Sequence, residues 1–92
     1  MLKLYKFYWD CGRAGSVEGL FVEDHEKVES MIGKRVYFGE ILGKHSEVYG
    51  NLDTEDLDIV SEDQEKIAWL VKTMGGKTIS GHNPIETIED AE

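Results

Sequence analysis

The chain has 92 residues, with 19 Asp plus Glu against 10 Lys plus Arg, a formal net charge of -9, one Cys and one Pro. A chain of that length is expected to form one domain, 1–92, with a modest core. Its composition excludes a disulfide scaffold, a collagen-like chain and a long flexible linker.

Residues 2–9 (LKLYKFYW) place Tyr5, Phe7 and Trp9 at period two, which predicts a strand. The glycines of DCGRAGS interrupt it. Residues 17–22 (VEGLFV) then read as a second strand, so the two form a hairpin with a long loop. Asp24 is placed to cap a short helix over 24–32, with Val28, Met31 and Ile32 on one face and Gly33 as its stop. Residues 36–42 (VYFGEIL) and 47–52 (EVYGNL) predict a second hairpin closed by GKHS, with Gly39 and Gly50 weakening its strands or marking bulges.

Residues 56–60 (DLDIV) alternate acid with apolar, which predicts a half-exposed fifth strand with Leu57 and Ile59 inward. Its acids would also protect an edge from unwanted pairing. Ser61 and Gln64 form a capping-box pattern ahead of the clearest helix. Acids fill its first turn, Ile67, Leu70, Val71 and Met74 make its apolar stripe, and Gly75-Gly76 ends it. Trp69 falls off that stripe and is expected at the surface. KTIS (77–80) reads as a short last strand, GHNP (81–84) as a turn and about 86–92 as an acidic tail. The order predicts an α+β domain: a small, mostly antiparallel sheet of about five strands in two hairpins, with two helices on one face.

No apolar run approaches the ~18 residues of a membrane span. Lys3 and Lys6 break the N-terminal apolar run too early for a signal peptide. A single Cys fits a reducing compartment, so a cytoplasmic location is expected.

The acid is unevenly spread. Residues 1–50 carry 7 basic and 8 acidic side chains, and residues 51–92 carry 3 and 11, so the second half holds nearly all the net charge. Asp53, Glu55, Asp56, Asp58, Glu62, Asp63 and Glu65 follow one another without a base. Such a field repels nucleic-acid backbones and attracts a basic protein surface, including one that normally holds nucleic acid. Solvation of a small domain is the plainer use of the same acids.

The two hairpin loops gather donors. The first has Arg13 among the amides of Gly12 to Ser16, and the second has Lys44, His45 and Ser46. Glycines admit close approach of an anion, and Arg makes forked contacts with phosphate or carboxylate. Trp9, Tyr8 and Tyr49 would supply stacking faces for a planar base. The alternative is two ordinary turns, with Arg13 and Lys44 paired to Glu18, Glu40 or Glu47. The sequence leaves open whether the loops meet in one subunit or only across a symmetric oligomer. Cys11, beside Asp10 and Arg13, has no spacing that links it to His25, His45 or His82, so a small thiol at a strand end is the expectation. Neither zinc-type nor EF-hand spacing occurs, and no cofactor or metal is expected.

The segments FYWDCGRAGSVEGLF, YFGEILGKHSEVYG and ISGHNPIE resemble those of small acidic proteins of phages and Gram-positive bacteria. The resemblance implies a phage-type counter-defence or host-interaction role and transfers no functional residue. Two functional expectations follow. One is a non-enzymatic protein that sequesters a small anionic, nucleotide-like ligand through Arg13, Lys44, His45, Ser46, Trp9 and Tyr49. The alternative is an acidic protein, anti-CRISPR-like or DNA-mimic-like, that blocks a basic partner through Asp53, Glu55, Asp56, Asp58 and Glu62. Neither needs a membrane or direct contact with nucleic acid.

Overall fold

Strand β1 (Leu2–Asp10) buries Tyr5 and Phe7 on one face and Leu4 on the other, the alternation that its sequence period dictates. It pairs antiparallel along its full length with β2 (Ser16–Asp24), from Leu2 opposite Asp24 to Asp10 opposite Ser16. This computed structural model describes residues 1–89. Helix α1 (His25–Met31) follows, and the Asp24 carboxylate caps it by accepting the Glu26 N–H at 2.9 Å. Then come β3 (Arg35–Gly39), β4 (Val48–Asn51), β5 (Leu57–Ser61), α2 (Gln64–Met74), β6 (Thr78–Gly81) and a short 3-10 turn, Pro84–Thr87.

The sheet order is β5-β1-β2-β6, with every neighbour antiparallel, and β3 and β4 form a separate two-stranded ribbon. The α+β class and both hairpins stand. The helices, however, lie on opposite faces of the sheet. Val28 of α1 joins Tyr5, Phe7, Val17 and Phe21 together with Val36, Val48, Leu52 and Ile85. Ile67 of α2 joins Leu4 and Val22, with Leu2, Leu70, Val71 and Ile79 against them. Both faces of β1 and β2 carry apolar side chains, so each needs cover.

Several boundaries move for local reasons. β3 ends at Gly39, whose φ of 81° turns the chain, so residues 40–47 form a loop longer than GKHS. Asp63, not Ser61, caps α2 by accepting the Glu65 and Lys66 N–H groups. Ser61 Oγ instead accepts the Asp63 N–H, and Gln64 donates to the Leu2 carbonyl. Met74 leaves the apolar stripe and is exposed, as is Trp69. The tail expected at about 86–92 is partly built in: just after the buried Ile85, Ile88 bridges to Val36 and the Glu89 N–H donates to the Arg35 carbonyl. Residues 90–92 of that tail lie outside the described residues.

Candidate functional site

Three concave regions differ in what they bring together. The first lies where the two hairpin loops meet. The vacant side-chain position of Gly15 is 3.9 Å from Leu42 Cδ2, so the loops converge within one subunit. Between them is a cleft of about 520 Å³ lined by Cys11 and Ala14 from the first loop, His45 and Ser46 from the second, and Trp9 and Tyr49 from the strands. Asp10 and Glu47 also line it. Arg13 and Lys44 are exposed chain neighbours of lining residues but do not line the cleft themselves. Neither forms an ion pair among the described residues, so the pairings with Glu18, Glu40 or Glu47 are not made.

The aromatic residues of the cleft face different ways. Trp9 packs edge-on against Phe7 and Phe38, at centroid separations of 5.0 and 5.7 Å, and its Cη2 sits 3.4 Å from the vacant side-chain position of Gly50. Tyr49 precedes Gly50 on β4, so its side chain projects to the other face of the ribbon. There it stacks with Tyr37, and the Arg35 guanidinium lies 4.7 Å over its ring. A planar ligand cannot be sandwiched between Trp9 and Tyr49. His45 has a φ of 67° and its N–H donates to the Glu40 carboxylate, which fixes the loop in a left-handed bend. The Asp10 carboxylate accepts the Gly12 N–H at 2.9 Å. Desolvation first, and the Glu47 carboxylate next, raise the Tyr37 hydroxyl above its ordinary pKa. The cleft wall carries two carboxylates, of Asp10 and Glu47, and one imidazole, of His45.

The second region is a small groove of about 150 Å³ between α1 and β5, lined by Tyr5, His25, Val28, Glu29, Ile32, Thr54, Leu57 and Ile59. Tyr5 Oη lies 3.3 Å from His25 Nδ1, and His25 Nε2 lies 2.7 Å from Glu29 Oε1. This chain was not anticipated, although the His25–Glu29 spacing of four on a helix was visible. Burial is the largest cause that raises the Tyr5 pKa, followed by the Glu29, Asp24, Glu62 and Glu23 carboxylates. The hydroxyl therefore stays protonated. The trio ties α1 to β1 and does not activate Tyr5 as a nucleophile.

The third region surrounds β5. This strand has one neighbour, β1, and a register shift falls between Leu4 and Tyr5 where they meet. The alternation expected of DLDIV holds through Ile59, with Leu57, Asp58 and Ile59 opposite Phe7, Lys6 and Tyr5, and Val60 is the extra residue at the bulge. Leu57 packs against the core, but Ile59 is 50% exposed and Val60 is 53% exposed. Ile59 faces the expected side, opposite Tyr5, but it lies at an edge that no element covers among the described residues. Val60 borders a groove of about 460 Å³ on the α2 face, with Lys6, Leu20, Ser80 and Gly81.

The expected acidic residues all flank this strand, with different duties. Asp53 and Asp56 make a reciprocal capping box around the 3-10 turn Thr54–Asp56. Glu62 pairs with Lys3 at 3.3 Å. Glu55 and Asp58 are exposed and form no ion pair among the described residues. Cys11 is half-buried at the end of β1, packed on the main core. Among the described residues no group of three His, Cys, Asp or Glu side chains gathers to hold a metal ion, and no helix is long and apolar enough to cross a membrane.

No protein-family model, curated protein or solved structure matches the chain. The fold defines it as a small acidic α+β protein.

Proposed function

We propose that the protein works by binding rather than by catalysis, and that it engages a basic protein surface through the acidic border of β5. One observation carries this reading: an uncovered edge strand with exposed Ile59 and Val60 lies between Glu55, Asp58 and Glu62. Apolar contact supplies affinity there, and the surrounding charge selects a cationic partner and steers its approach. Blocking a nucleic-acid-binding surface in a counter-defence setting is one use of such a border, in keeping with the resemblance described above. The test compares partners captured by the wild-type chain with those captured by a Glu55→Gln, Asp58→Asn, Glu62→Gln chain. Basic, nucleic-acid-binding proteins should be lost from the variant, and added DNA or RNA should compete them off the wild type. Partners held equally by both chains, or untouched by nucleic acid, would refute the reading.

A second reading rests on the meeting of the two loops. Trp9, His45, Ser46 and Tyr49 line one cleft, with Arg13 and Lys44 beside it in the chain. A small anionic, nucleotide-like ligand would place its charge toward Arg13 and Lys44, and Asp10 and Glu47 would accept its N–H or O–H donors. The carboxylates in the wall put this reading second. Calorimetric titration with a nucleotide panel should show binding that Arg13→Ala weakens tenfold or more, and silence from the wild type would dismiss it.

A further inference from the structure

We infer that the partner is held by strand addition: an extended segment pairs its backbone with the outer edge of β5. The segment has a short apolar centre flanked on both sides by Lys or Arg. This inference rests on the basic-partner reading above and specifies its geometry.

The Leu57 N–H donates to the Thr54 carbonyl, and beyond it the outer side of β5 has no strand neighbour among the described residues. Such an edge offers a row of N–H and C=O groups to any extended chain. The opposite edge, β6, also has one strand neighbour, but it is only four residues long and carries no acidic border. Gly81 turns it away with a φ of 66°, and the chain folds back so that Asn83 Nδ2 donates to Thr78 Oγ1 and Thr78 Oγ1 donates to Glu86. The open edge and the acidic border therefore coincide at β5.

The order of side chains along β5 sets the complement. Glu55, Asp56 and Asp58 come first, then Ile59 and Val60, then Glu62, Asp63 and Glu65. Ile59 borders the groove beside α1, and Val60 borders the groove on the α2 face. Successive residues of an added strand alternate between faces, so two or three consecutive apolar residues cover both. Basic residues before and after them meet the two acidic flanks. The same charges exclude a second copy of this chain as the occupant, because pairing β5 with β5 would set acid against acid across the new interface and bring together two chains of net charge -9.

The probe is a blocked nine-residue peptide with three valines between two runs of three lysines. Its control is the same peptide methylated at the three valine backbone nitrogens, which keeps charge and side chains but blocks strand pairing on both edges. Binding to the full chain is followed by isotope-edited NMR and amide hydrogen exchange. The parent peptide should bind saturably, slow exchange at least tenfold at the amides of Asp58 to Ser61 that face away from β1, and bind at least tenfold tighter than the methylated control. Equal binding of the two peptides with unprotected β5 amides would overturn strand addition and leave the acidic-surface reading standing. Binding of neither peptide at low salt would overturn both. If the parent peptide protected the loops of 11–15 and 40–47 instead of β5, strand addition at this edge would also be overturned.

Discussion

The two edges of the central sheet are guarded by different means. At β6 the guard is covalent geometry and packing. α2 packs on β1 and β6, Gly19 and Gly81 let β2 and β6 approach closely, and the 3-10 turn at Pro84–Thr87 closes over Thr78. Lys77, just ahead of β6, pairs with the buried Glu23 of β2 at 3.0 Å. At β5 the guard is a bulge and a row of acids, with no element laid across the strand among the described residues. A packed guard excludes every partner. A charged guard excludes like charge and admits its opposite, so an edge protected in this way is also a selective docking strip.

The largest effects are expected on the packed side. Ile67 is fully buried between α2 and the sheet, so Ile67→Ala should cost about 3–4 kcal/mol in a denaturant melt. Leu70 is half-buried in the same cluster, and Leu70→Ala should cost about 1–2 kcal/mol. Equal costs at both positions would mean that α2 sits differently on the sheet. Gly19→Ala follows, at about 2–3 kcal/mol, because a side chain there collides with the His82 backbone and has to push β6 away from β2. A silent Gly19→Ala would show that the β6 edge yields without cost, against the close approach at Gly19.

The Glu23 ion pair makes the packed edge sensitive to acid. Burial alone would raise the Glu23 carboxyl, but the Asp24 N–H, Lys77 and Lys27 outweigh it and hold the carboxyl below its ordinary value of 4.5. A pKa depressed by folding gives stability that is present above the unfolded value and lost as pH falls through the folded one. Thermal melts of the wild type should therefore weaken below about pH 4.5, and Glu23→Gln should be less stable at neutral pH with a flatter acid limb. An identical acid limb in the variant would assign the effect elsewhere.

The smallest stability change is expected at the charged edge. The Glu55→Gln, Asp58→Asn, Glu62→Gln chain should melt within about 0.5 kcal/mol of wild type, since these side chains are exposed. It should nevertheless form concentration-dependent dimers in sedimentation, because the repulsion that keeps β5 from pairing with its own copy is gone. A strictly monomeric variant would show that the bulge alone guards the edge.

The contrast also explains what the sequence made legible. The β1–β2 hairpin was readable because its aromatic residues alternate without interruption, and α1 because Asp24 has no rival cap. α2 was readable in its stripe but not in its first residue, since Ser61 and Asp63 compete to cap it and Asp63 takes the helix N–H groups. Ile59 faces the expected side, with Leu57 and opposite Tyr5, but it stays half exposed because the sheet ends there, and the place of a strand in its sheet has no signature in DLDIV. Ile85 and Ile88 were hidden in an acidic stretch that tertiary contact recruits to the core. At the loops, the meeting of His45 with Cys11 and Ala14 depends on how the β3–β4 ribbon packs on the sheet, which no local pattern encodes. The acids of 53–65 and a half-exposed edge strand at 56–60 were both plain in the sequence; the exposure of Ile59 and Val60 was not.

The most direct measurement of the central claim is the affinity of the chain for the lysine-flanked trivaline peptide between about 50 and 500 mM salt, where the screening length falls from roughly 14 to 4 Å. The wild type should lose at least tenfold in affinity over that range, and the Glu55→Gln, Asp58→Asn, Glu62→Gln chain should start weaker and change little. An affinity that stays flat with salt, or a variant that binds as tightly as the wild type, would contradict recognition through the β5 border.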